Sequence, residues 1–306
     1  GATTISSGGL QIGNGGTTGT LGSGAVTNNA SLLFNRSNAF TVGNAISDTG
    51  SLTQAGTGTT TLTGANTYTG TTTIGSGGLQ VGSGGTSGTL GAGAVTNNGS
   101  LLFNRSDALS VANAISGTGS LSQVGAGTTS LIGANSYSGT TTISSGALQV
   151  GVGGTAGTLG SGAVTNDASL LFNRSNALAV ANAISGTGSV SQVGSGTTAL
   201  TGSNSYSGTT TISSGTLQVG NGGTTGTLGS GAVTNNATLA FNRSDALAVA
   251  NAISGTGALS QVGAGTTSLS GANSYSGTTT ISSGTLQVGG GGTTDTLGTA
   301  SVVNNA

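Results

Sequence analysis

A 69-residue unit recurs through the whole chain, and a repeat this faithful limits the fold more than any other feature. The tetrapeptide FNRS begins at Phe34, Phe103, Phe172 and Phe241, always at that interval. Tyr68, Tyr137, Tyr206 and Tyr275 keep the same step, and residues 139–207 differ from 208–276 at only 13 of 69 positions. Copies this similar share one local structure and bury their apolar faces against one another. The chain reads as a single array: 1–69, 70–138, 139–207, 208–276 and a partial repeat, 277–306.

A helix needs apolar residues at a period near 3.6, and glycine interrupts nearly every window where one could form. Short alternating strands are visible instead. In the third repeat they read ALQVG at 147–151, SLLFN at 169–173, ALAVANAI at 177–184, SVSQVG at 189–194, TTALTG at 197–202 and TTTI at 209–212. Side chains alternate across a strand, so Leu148 and Val150 share a face that Gln149 leaves. Leu170 and Phe172 likewise flank an outward Leu171, whose counterpart in the next repeat is Ala240.

Counted between apolar anchors, Leu148 to Leu170 is a step of 22, Leu170 to Val190 of 20, and Val190 to Leu217 of 27. Three coils averaging about 23 residues result, each with two or three strands pairing in parallel with the coil below at about 4.8 Å. The expected fold is all-β: a right-handed parallel β-helix, or β-solenoid, with about three coils per 69-residue repeat. Roughly 13 coils would make a rod on the order of 60 Å long. A propeller fits less well, because its blades usually run about 40–50 residues and its signature dipeptides are absent.

Composition agrees. With 63 Gly, corners needing positive φ are cheap to make, and the absence of Pro spares the ladder a missing donor in every coil. Asn44, Asn113, Asn182 and Asn251 fall on inward positions, where an amide must find backbone partners. Zero Cys and zero His remove disulfides, thiolate chemistry and the commonest metal ligands. Four Arg, five Asp and a net charge of −1 offer no basic patch for nucleic acid. The apolar runs are far shorter than the roughly 20 residues of a membrane span, so no membrane insertion of this segment is expected.

The segments GTTTLTGANTYTG at 58–70, GTTTISSGTLQVG at 208–220 and GTLGSGAVTNN at 226–236 closely resemble the autotransporter-associated β-strand repeat. That repeat builds passenger domains of Gram-negative autotransporter adhesins. The resemblance spans essentially the whole chain and implies a right-handed parallel β-helix at the bacterial cell surface, acting as stalk or adhesin. Such proteins also carry an N-terminal signal and a C-terminal barrel, neither of which is in this sequence. The chain starts and stops inside a repeat, which predicts either a window on a longer array or ends that meet other molecules. The strands GATTISSGGLQIG and SVVNNA carry no Lys, Arg or Pro, so end-to-end self-association into filaments is a further expectation.

Candidate sites are few. Arg36, Arg105, Arg174 and Arg243, each followed two residues later by Asn38, Asp107, Asn176 or Asp245, suggest either a row for carboxylates or sugars, or side chains covering a corner. One Arg per three coils would place neighbours roughly 14 Å apart. The four tyrosines could stack on glycan rings, or pack on a Gly-rich turn with the hydroxyl wet. Asp48, Asp107, Asp167, Asp245 and Asp295 show no clustering of the kind that Ca²⁺ binding or a glycosidase acid pair requires. GVGG at 151–154 and GGGG at 289–292 read as turns, because no Lys completes a phosphate loop. The four NRS triplets match the glycosylation acceptor pattern, and the Thr triplets at 71–73, 140–142, 209–211 and 278–280 come too rarely for an ice-binding array. No catalytic residue, cofactor site or metal site is assigned; a host-surface or glycan ligand is the partner class left open.

The strand facing makes a direct prediction. Phe172→Ala should cost about 3–5 kcal/mol in urea unfolding, and Leu171→Ala much less. Equal losses at both positions would overturn the facing.

Overall fold

A computed structural model describes residues 1–289 and 296–306. The described residues form strands and no helix, so no helix is long and apolar enough to cross a membrane. They fall into two compact units, Gly1–Leu148 with Gly157–Gly162, and Gln149–Ala156 with Ala163–Ala306.

In the first unit the chain winds past stacked strands, and all strand pairs are parallel. One stack runs Gly9–Ile12, Ser31–Phe34, Ser51–Gln54, Thr72–Ile74, Val95–Asn97 and Ile115–Ser116. A second runs Phe40–Val42, Thr59–Leu62, Gly78–Val81, Ser100–Phe103, Ser120–Gln123 and Thr141–Ile143. The remaining strands form two separate ladders, Thr3–Ile5 with Val26–Asn28 and Ile46–Ser47, and further along the chain Leu109–Val111 with Thr128–Leu131. The second unit repeats the plan; its longest stack runs from Leu178–Val180 through Thr216–Val219 and Thr238–Phe241 to Val302–Asn304. Each unit is a parallel β-solenoid, as the repeat predicted.

Register shows why these residues make these strands. Leu10, Leu32, Leu52, Thr72, Val95 and Ile115 stand directly above one another. All but Leu10 are fully buried. Ile12, Phe34, Gln54, Ile74 and Asn97 form the neighbouring column. Alternation puts Leu170 and Phe172 inside at 0 % exposure and leaves Leu171 partly exposed. Each buried Leu or Phe contributes about 1.5–3 kcal/mol relative to exposure, provided the column above and below it is filled.

The turns are shorter than the expected average. Leu10 pairs with Leu32, a step of 22, but Leu32 with Leu52 and Leu52 with Thr72 are steps of 20, and Thr60 with Leu79 is one of 19. The chain makes about 15 turns. The long step expected from Val190 to Leu217 is corrected: Val190 pairs with Thr210, while Leu217 pairs with Thr198 and Leu239 on another sheet. Thr210 is a fully buried inward residue, so counting apolar anchors alone skips a position.

This correction changes how the repeat maps onto the solenoid. Three turns carry Leu10 to Thr72, whereas its repeat counterpart Leu79 lies further along the chain, on the next sheet. In the second unit three turns carry Leu217 to Thr279, and Leu286 again falls on the next sheet. With three sheets per turn, one repeat is three and one third turns. Within each unit, therefore, equivalent residues step from face to face.

Corners rely on positive φ. Gly117, Gly186 and Gly255 take φ of 103°, 101° and 104°, and the first repeat places Asp48 there at 77°. A side chain in this region costs about 1–2 kcal/mol, offset in part by the greater unfolded-state freedom of Gly. Asp48→Gly should therefore raise stability by up to about 1 kcal/mol. A lower unfolding midpoint for this variant would show that the Asp48 contact to Ser47 outweighs the strain.

Candidate functional site

The arginines cover corners. In the loops 13–19, 82–88 and 220–226 the chain swings outward, and its carbonyls need partners that no strand supplies. Arg105 donates to the Gly88 carbonyl at 2.8 Å, and Arg243 to the carbonyls of Gly226 at 3.0 Å and Thr224 at 2.7 Å. Arg36 donates to the carbonyls of Gly19 and Thr17 and lies over the Phe40 ring, 4.5 Å from its centroid. The residue two positions on completes each corner: Asn38 and Asn176 accept from Nε at 3.1 and 2.9 Å, Asp107 and Asp245 at 2.8 Å. Asp107 and Asp245 also pair with Arg105 and Arg243 at 2.7 and 2.6 Å. Their carboxyls lie below the usual Asp range, chiefly because the Arg hydrogen bond favours the ionised form.

These guanidiniums do not form a row along one face. Arg36 follows Ser31–Phe34 and Arg105 follows Ser100–Phe103, which belong to different sheets; Arg174 and Arg243 are separated likewise in the second unit. The spacing of roughly 14 Å along one side does not apply, because each repeat ends a third of a turn out of phase.

Neither expectation for the tyrosines holds in full. Tyr68, Tyr137, Tyr206 and Tyr275 are fully buried, and each hydroxyl bonds the Oγ1 of Thr72, Thr141, Thr210 or Thr279 at 2.7–2.8 Å. The rings pack on Gly91, Gly160, Gly229 and Gly298, where a Cβ would collide with the ring. The Gly-rich contact was foreseen; the dry hydroxyl was not. The first Thr of the strands Thr72–Ile74, Thr141–Ile143, Thr210–Ile212 and Thr279–Ile281 faces inward to meet it, so the Thr triplets are partly core.

The inward asparagines behave as expected. Asn113 donates to the carbonyls of Gly91 and Gly93 at 2.7 and 2.6 Å, and Asn44 and Asn251 make the equivalent pairs. A second polar device was not anticipated. Asn66 Oδ1 accepts from the Ile46 N–H at 3.0 Å, and its Nδ2 donates to the Thr89 carbonyl at 2.7 Å. Thr89 Oγ1 accepts the Asn66 N–H at 2.7 Å and donates to the Asn66 carbonyl at 3.0 Å. Side chains thus replace the backbone ladder for two turns, and the Asn135–Thr158, Asn204–Thr227 and Asn273–Thr296 pairs repeat the arrangement. The N-x-Y and TLG motifs were its sequence signal.

Where the ladder is interrupted, an open groove of about 460 Å³ lies beside the strand Leu109–Val111, walled by Leu90, Ala92 and Val111. A groove of about 360 Å³ beside Leu247–Val249 repeats it. No ionisable side chain lines either one.

The remaining acids stay apart. Asp48 caps Ser47, and Asp167 accepts the Thr187 N–H at 3.0 Å. Asp295 and most of GGGG at 289–292 lie outside the described residues. Among the described residues no three His, Cys, Asp or Glu side chains approach as metal ligands would. The NRS asparagines Asn35, Asn104, Asn173 and Asn242 are half-buried at the ends of their strands. GVGG at 151–154 is a turn with Gly151 and Gly153 at φ of 80° and 89°.

Burial raises the hydroxyls of Tyr68, Tyr137 and Tyr206 above their ordinary value of 10.0, against a smaller lowering by the Thr hydrogen bond. With the folded value above the unfolded one, this stabilisation is complete below pH 10.0 and is lost as pH rises toward the folded value. In a Tyr275→Phe chain, which leaves Tyr68, Tyr137 and Tyr206, tyrosinate absorbance should therefore appear only together with loss of β-sheet circular dichroism. Smooth ionisation of a folded protein near pH 10.0 would contradict the burial.

No curated protein and no solved structure matches this chain. The pattern of the passenger-associated-transport-repeat family matches four times, at residues 52–81, 121–150, 190–219 and 259–288. The first of these spans the Gln54, Tyr68 and Thr72 core positions and ends on the strand Gly78–Val81. Four stretches of this chain, each 69 residues from the next and each running from one copy of the repeat into the following one, are thus similar to the passenger-associated-transport repeat.

Proposed function

We propose that this chain is an extracellular structural module: a rigid β-solenoid stalk or adhesin passenger of an autotransporter-like protein on a Gram-negative cell surface. We assign no reaction to it. The observation that carries the proposal is where the polar chemistry goes. The arginines, tyrosines and inward asparagines are spent on carbonyls and hydroxyls of the chain's own corners and core. Such an arrangement stiffens the stacked turns, and turns stacked at about 4.8 Å give reach in proportion to their number. Any host-surface or glycan contact would be made by the outward Ser, Thr and Asn side chains of successive faces.

Removing one whole repeat, residues 70–138, tests this. The join restores the local sequence, and a display host with a membrane barrel can carry both forms. The distance from a distal tag to the membrane should fall by roughly 16 Å, three and one third turns, with β-sheet signal per residue unchanged. Loss of fold, or an unchanged distance, would overturn the stalk. Concentration-dependent growth of the purified chain in light scattering would favour end-to-end filament assembly instead.

A further inference from the structure

The sequence holds three Asn–Gly pairs, Asn14–Gly15, Asn98–Gly99 and Asn221–Gly222. In such a pair the glycine nitrogen can attack the Asn side-chain carbonyl carbon. A C–N bond forms, the nitrogen loses its proton, and ammonia leaves with the side-chain nitrogen. Water then opens the resulting cyclic imide at either carbonyl, giving Asp or, through the side chain, isoaspartate. Glycine permits the closure because it has no Cβ in the way. The reaction needs the glycine N–H to be free to give up its proton.

The structure separates the three pairs on this point. Gly15 N–H donates to the Asn35 carbonyl at 2.9 Å, and Gly222 N–H to the Asn242 carbonyl at 2.8 Å. Gly99 N–H has no acceptor among the described residues. At the same repeat position Ala30, Ala168 and Ala237 donate to Oδ1 of Asn28, Asn166 and Asn235 at 3.2–3.3 Å. In the second repeat that bond is missing, and Asn97 Oδ1 is left buried without a partner.

The electrophile is also prepared. Asn98 is exposed, and its Oδ1 accepts from the Thr118 N–H at 3.1 Å and hydroxyl at 3.4 Å, which draws electron density from the carbonyl carbon. The product has a place as well. Asp167 occupies the equivalent position, and its Oδ1 accepts from the Thr187 N–H at 3.0 Å and hydroxyl at 3.3 Å.

We propose that Asn98 is a selective site of spontaneous deamidation in the folded protein. Conversion adds one negative charge to a chain of net charge −1. The Asp product keeps the Thr118 contacts. Isoaspartate lengthens the backbone by one carbon between the strands Val95–Asn97 and Ser100–Phe103, loosening one turn.

The four arginines place the three pairs in different tryptic peptides, 1–36, 37–105 and 175–243. The full chain would be incubated at mildly alkaline pH, folded and urea-unfolded, then digested and read by mass spectrometry for replacement of NH₂ by OH. In urea all three sites should convert. In the folded chain Asn98 should convert about tenfold faster than Asn14 or Asn221, the rate equivalent of one protein hydrogen bond. Gly99→Ala, which places the alanine of the other repeats here, should slow conversion at Asn98 at least about tenfold because a Cβ hinders ring closure. That Cβ would meet the Gly77 carbonyl oxygen at 2.6 Å, so circular dichroism checks that the variant keeps the fold. If that variant misfolds, the ratio in the unaltered chain decides alone. Equal rates at the three sites in the folded chain, or faster conversion at Asn14 or Asn221, would overturn the proposal.

Discussion

The parallel ladder from one turn to the next is the constraint on which everything else depends. Every strand must find, one turn later, another strand of the same facing and register. An inward residue therefore sits above an inward residue, and a single change is felt by the turns on both sides. A neutral, proline-free sequence suits this arrangement, since charges in a column would repel and proline would remove a donor. Glycine supplies the corners, where the chain of the adjacent turn comes too close for any side chain. Gly64, for instance, lies against the backbone of Asn44.

The ladder is not purely backbone. At the Asn66–Thr89 pair and its repeats, side chains make the bonds that strands would otherwise make, and an apolar groove opens beside the next strand. Gln54, Gln123, Gln192 and Gln261 lie in the core, each donating to two glycine carbonyls within its own turn. Polar residues in a solenoid core thus tie corners to the strand that precedes them. They add specificity of register to a column that apolar contact alone would let slip.

A repeat of three and one third turns also changes what a repeated surface means. A motif repeated at whole turns would line up as a stripe. Here the FNRS corner and the Gly-rich loop appear on successive faces within each unit, so a partner approaching from one side meets different parts of neighbouring repeats. For a spacer this spreads similar chemistry around the circumference.

Fold class, strand facing and the inward asparagines were legible in the sequence, because alternation and a 69-residue period are local patterns that survive without knowledge of the neighbours. SLLF could face only one way once Leu and Phe had to be buried, and the structure buries Leu170 and Phe172. The turn length was not legible, because Thr72 and Thr210 occupy inward positions that hydropathy assigns to the surface. Their place depends on a tyrosine hydroxyl four residues earlier in the chain, reached across the core. Covering a corner was one of two readings that the repeat position of the arginines left open, and which carbonyls they bind depends on loops well before them in sequence. The sequence by itself pointed to a parallel β-solenoid of stacked repeats, since short alternating strands at a 69-residue period fit stacked coils better than propeller blades. Only the tertiary structure decided the phase between repeat and turn, because stacking fixes where one turn closes on the next and local sequence does not.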